Sequence, residues 1–62
     1  MFRTYDIFEI LPDGDLLWRT QIDGHEQAID RLRELAQQSS NEMRLMHLPT
    51  NSVVATINAK TV

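Results

Sequence analysis

Between Asp23 and Ser39 the chain reads DGHEQAIDRLRELAQQS, and at helical spacing Ala28, Ile29, Leu32, Leu35 and Ala36 share roughly 120° of arc. The opposite side carries Glu26, Gln27, Asp30, Arg31, Arg33, Glu34, Gln37 and Gln38. One apolar stripe requires one partner surface, because a lone amphipathic helix of this length is marginal in water. The flanking residues must therefore build that surface, and their patterning predicts two hairpins.

From Phe2 to Leu11 aromatic and β-branched residues dominate, and Leu11-Pro12-Asp13-Gly14-Asp15 then breaks the run. Pro12 presets φ for the first corner, Asp13 can bond back to the backbone, and Gly14 accepts the positive φ that closes a three-residue loop. With Pro12 to Gly14 as the loop, Ile10 faces Leu16, Phe8 faces Trp18, Asp6 faces Thr20 and Thr4 faces Ile22. Counting by two places Phe2, Phe8, Ile10, Leu16, Trp18 and Ile22 on the heavier apolar side, which is assigned to the helix. Tyr5, Ile7, Glu9, Leu17, Arg19 and Gln21 then occupy the other side.

Asp23 is read as the helix N-cap, with Glu26 completing a capping box and Gly24 easing entry from the strand. Asp30 with Arg33 and Arg31 with Glu34 have the spacing of surface ion pairs. Asn41 is expected to end the helix in the left-handed conformation. A second hairpin follows, Glu42 to Leu48 and Val53 to Ala59, around Leu48-Pro49-Thr50-Asn51-Ser52. The two turns resemble each other at an offset of 37 residues, with Asn51 standing where Gly14 stands in the first. The same register pairs His47 with Val53, Leu45 with Ala55 and Met43 with Ile57 on the helix side. Arg44, Met46, Leu48, Val54 and Thr56 then lie on the reverse side, and residues 58 to 62 are expected to fray.

The order β-β-α-β-β, with a right-handed crossover, gives an α+β fold. It is a four-stranded antiparallel sheet of order 2-1-3-4, with one helix packed on one face, and residues 1–62 form a single domain. In the Pro12-Asp13-Gly14 turn, Trp18 and the Ala28 to Leu35 stripe, the chain resembles short uncharacterised bacterial ββαββ proteins with a PDG hairpin. That resemblance covers most of the sequence and implies no activity.

A chain of 62 residues has a marginal core and, with no Cys, cannot staple it with disulfides or thiolate zinc. Oligomerisation is the common remedy at this size. The net charge of -3 provides no basic footprint for nucleic acid. Arg3, Asp6 and Glu9 interrupt any secretory apolar run, and no stretch is long enough to span a membrane, so a cytoplasmic location is expected. His25 and His47 lack the carboxylate spacing of a metal site, and both are read as partly buried residues of the helix side. Asp6, expected opposite Thr20 on the core side, is the one candidate acid. No triad order, phosphate loop or HExxH string occurs, so neither a catalytic residue nor a cofactor is assigned.

Tyr5, Ile7, Leu17, Met46, Leu48 and Val54 are expected together on the open face, a patch of several hundred Å2 that monomers rarely leave bare. The uncharged stretch Val53 to Ala59, which includes Ile57, is expected at a sheet edge, where unpaired backbone groups invite another strand. These features predict a small protein-interaction module forming homo-oligomers, a dimer above all, through the open face, the β4 edge or both. The alternative is a nucleic-acid or small-ligand domain using Tyr5, Arg19 and Arg44 on that face.

Overall fold

The computed structural model describes residues 3–58, so Phe2 and Ala59, which the sequence places in strands, lie outside the described residues. The elements are β1 (Thr4–Ile10), β2 (Leu16–Asp23), α1 (His25–Gln37), β3 (Glu42–His47), a 3-10 turn (Leu48–Thr50) and β4 (Ser52–Ile57). The four strands form one antiparallel sheet in the order β2-β1-β3-β4, an α+β fold with the predicted topology. No helix among the described residues is long and apolar enough to cross a membrane.

The first turn closes as its residues dictate. The Gly14 amide donates to the Leu11 carbonyl at 2.8 Å, and the Leu11 amide donates to the Asp15 carbonyl at 2.8 Å. Gly14 takes φ 93°, and Asp13 accepts from the Asp15 amide. Asn51 takes the equivalent left-handed position, φ 53°, in the second turn. Both hairpins then depart from simple alternation.

In the first hairpin Ile10 pairs with Leu16 and Phe8 with Trp18, as counted, but Ile7 pairs with Thr20 and Tyr5 with Ile22. Arg19 is the extra residue of a β-bulge. A bulge inserts one position into one strand, so every side chain beyond it changes face. Leu16 and Trp18 therefore lie on one side of β2, and Thr20 and Ile22 on the other. The even-numbered set of this ribbon is split in two.

The consequence corrects the sequence reading of β1. The side turned to the helix carries Tyr5, Ile7 and Glu9, and the open side carries Asp6, Phe8 and Ile10. Tyr5, Ile7, Ala28, Leu32, Met43 and Leu45 form the buried apolar core, with Ile22, Ile29, Leu35, Ala36, Ala55 and Ile57 packed around it. Met43 and Leu45 thus face the helix as predicted. In β4 the pairs Leu45–Ala55 and Met43–Ile57 hold, but a second bulge makes Val54 the extra residue. Met46 consequently pairs with Val53 and His47 with Ser52.

Both helix ends are also built differently. The Gly24 amide donates to the Arg3 carbonyl at 2.8 Å, prolonging the ladder past Asp23. Asp23 stays in the strand and accepts from the Thr4 hydroxyl, so Gly24, at φ 92°, is the N-cap, and no side chain among the described residues caps the helix. At the other end Gln38 remains right-handed. Asn58, rather than Asn41, takes the left-handed conformation at φ 60°, and its side-chain amide donates to the carbonyls of Ala36 and Ser39 at 3.1 Å and of Asn41 at 3.4 Å. A residue expected to fray closes the end of the helix.

Candidate functional site: the open sheet face

Among the described residues, none forms a layer over the sheet side away from α1. Its rows follow from the register: Leu16, Ile10 and Glu42; then Trp18, Phe8, Arg44 and Thr56; then Gln21, Asp6, Met46 and Val53. Leu16 is 58% exposed, Trp18 55% and Val53 53%, while Phe8, Ile10 and Met46 are half-buried among them. Six apolar side chains therefore share one surface, with Phe8 and Trp18 opposite each other in its second row and Trp18 on the bordering strand β2.

Asp6 holds the indole in place. Its carboxylate accepts from Trp18 Nε1 at 2.9 Å, and the residue is only 6% exposed. A buried acceptor bonded to an exposed aromatic ring restrains the ring's torsions before any partner arrives. Glu42 accepts from Arg44 Nε at 2.6 Å on the same face, giving a paired charge beside the apolar rows.

The expected interface residues are redistributed, Tyr5, Ile7 and Leu17 because the first ribbon faces the helix with its odd positions, and Val54 because of the second bulge. Met46 lies on the open face, and Leu48 adjoins it at the turn, bordering a depression with Thr4, Asp6 and Gln21. Tyr5 and Ile7, expected there, are instead in the core, because the odd positions of β1 face α1. Leu17 is exposed but opposes Glu9 and shares its side of the sheet. Val54, the bulged residue, borders a cleft with Tyr5 and His25 on the helix side. Ile57 is in the edge strand and half-buried against the core. By weight Phe8, Ile10, Leu16 and Trp18 are expected in the core, yet they lie on the open face, and no signal in the sequence separates a heavy core face from a heavy outer face.

The triad Tyr5, Arg19 and Arg44 is not assembled. Tyr5 is under the helix, and Arg44 is on the open face bonded to Glu42. Arg19 donates to Glu9 Oε1 at 2.5 Å, while Glu9 Oε2 accepts from the Ser39 hydroxyl at 2.8 Å and from Asn41 Nδ2 at 2.7 Å. Hydrogen bonds from Asn41 and Ser39, with the bond and charge of Arg19, hold the Glu9 carboxyl below its ordinary value against the opposing effect of burial. This buried acid ties β1, β2 and the connection after α1 together.

His25, His47 and Asp6 divide between the two faces. Both imidazoles lie against the Tyr5 ring, with centroids 5.8 Å and 5.6 Å away, whereas Asp6 is on the open side with Trp18. Asp6 also opposes Gln21 rather than Thr20. Among the described residues no group of three His, Cys, Asp or Glu could hold a metal ion. No family model, no curated protein and no solved structure matches the chain, so the reading of this face rests on its own geometry.

Proposed function

We propose that the chain is a small protein-interaction module that associates with a second copy of itself through the open sheet face, with Trp18 as the anchor. The carrying observation is an indole 55% exposed yet bonded to a buried carboxylate, on the face it shares with Phe8, Ile10, Leu16, Met46 and Val53. Fixed aromatic side chains surrounded by apolar neighbours are where binding energy concentrates in interfaces. A self-complementary patch suits a two-fold dimer, in which one surface serves both partners. The small core supports the same reading, since covering this face adds apolar burial that 62 residues otherwise lack.

The face is favoured over the β4 edge for a structural reason. β2 and β4 border the sheet, and each contains a bulge, at Arg19 and at Val54. Bulges twist an edge and interrupt its row of free backbone groups, a recurrent defence against strand addition. Sedimentation of the wild type across low to high micromolar concentration is expected to show a monomer–dimer equilibrium, with Trp18 emission shifting to the blue as dimer forms. Leu16→Glu combined with Val53→Glu changes two residues already more than half in water, so the fold is retained and the dimer lost. A wild type monomeric throughout, or a double variant that assembles like the wild type, refutes the proposal.

A further inference from the structure

On the helix side a separate cleft of about 380 Å3 opens between β1, the start of α1 and the second turn. We propose that it binds the oxyanion head, phosphoryl or carboxylate, of a small molecule. Tyr5 is 3% exposed and forms one wall, its ring lying between His25, nearly perpendicular at 73°, and His47, tilted at 50°. Among the described residues its hydroxyl has no hydrogen-bond partner. No sealed side-chain nitrogen or oxygen among them lacks a partner either. Tyr5 lines the cleft with a ring held by burial, and its hydroxyl is a donor that no described residue engages.

The other walls supply donors without a carboxylate. Arg3 borders the cleft and makes no ion pair among the described residues. His47 Nδ1 lies 2.8 Å from the Thr50 hydroxyl, which itself donates to the His47 carbonyl at 3.3 Å. With the ring protonated, Nδ1–H donates to that hydroxyl and Nε2–H is the second donor, the one left for an anion. Among the described residues no side chain caps the helix beginning at His25, so its positive end, with Glu26 in the first turn, adjoins the cleft at His25. In a chain with nine acidic and six basic residues, a lining free of Asp and Glu is a local reversal of charge.

The second bulge shapes this site. It makes Val54 an extra residue of β4 and brings it to the cleft as an apolar wall, and bulges often re-aim side chains beside binding sites. The volume exceeds that of a bare oxyanion and suits a small organic body attached to one.

Titration of the whole protein with inorganic phosphate and, separately, acetate, followed by amide and imidazole resonances near pH 6, tests the proposal. Saturable shifts at His25, Glu26 and His47 with either anion support it, and the anion that saturates identifies the head. Arg3→Gln, at an exposed position, and Tyr5→Phe, which keeps the ring, are each expected to weaken binding about tenfold or more, as for a hydrogen bond to a charged group. Arg31→Gln, on the outer helix surface, leaves it unchanged. No saturable shift with either anion, or equal affinity in Arg3→Gln and Tyr5→Phe, overturns the proposal. Either result is independent of dimerisation, which uses the opposite side of the sheet.

Discussion

Ile7→Ala and Leu16→Ala remove the same three carbons from neighbouring strands, yet the structure assigns them very different costs. Ile7 is fully buried within the cluster of Leu32, Met43 and Leu45. At about 0.8 kcal/mol per buried methylene, plus a cavity term, its truncation costs about 3 to 4 kcal/mol. Leu16 is 58% exposed and leaves no enclosed void, so its truncation costs about 1 kcal/mol or less. A domain of this size rarely holds more than about 3 to 5 kcal/mol in total. Ile7→Ala is thus expected to be largely unfolded without denaturant, whereas Leu16→Ala loses about 1 M from its urea midpoint at a slope near 1 kcal/mol per molar. Far-ultraviolet circular dichroism at low micromolar concentration measures both in the monomer. Repeating the wild type and Leu16→Ala at high concentration tests the proposed association, which would raise the wild-type midpoint more than that of Leu16→Ala. If Leu16→Ala is as damaging as Ile7→Ala at low concentration, the assignment of faces in β1 and β2 is wrong.

The buried acid gives a prediction in pH. Because the folded Glu9 carboxyl titrates lower than in the unfolded chain, its contribution is full above the ordinary glutamate value, about 4.3, and is lost as pH falls through the folded value. Glu9→Gln should lower the urea midpoint at pH 7, and the gap to the wild type should narrow as pH drops below about 4; a gap constant from pH 7 to 3 contradicts this. At the helix end, Asn58→Gly keeps the left-handed backbone and loses only the side-chain bonds, costing about 1 kcal/mol. Asn58→Ala adds left-handed strain of about 1 to 2 kcal/mol, and equal midpoints for the two variants would show that the conformation carries no weight.

Much of the architecture was legible because its signals are local. Pro12 and Gly14 define one turn and Asn51 the other, the stripe from Ala28 to Ala36 defines the helix, and Met43 and Leu45 face it as alternation requires. The first ribbon misleads because Leu16, Trp18 and Ile22 share parity in sequence, while the bulge at Arg19 puts Ile22 on the other side. A bulge has no composition signature here, since Arg19 is an ordinary strand residue whose side chain simply finds Glu9. The partners of Glu9 lie about 30 positions away, at Ser39 and Asn41, and such pairing emerges only once the sheet is assembled. The cleft around Tyr5 was hidden for the same reason: with β1 inverted, Tyr5 belonged to the wrong surface.

The inserted residue at Arg19 divides one strand between two tasks. The half of β2 next to the Pro12–Gly14 loop is directed outward, toward whatever the molecule meets, and the half leading into α1 is directed inward, toward what keeps the molecule together. A replacement at Leu16 therefore changes only the outward surface while Ile22 preserves the interior, whereas one at Trp18 also strips the buried Asp6 carboxylate of its donor, so the outer half of the strand is not uniformly free to vary.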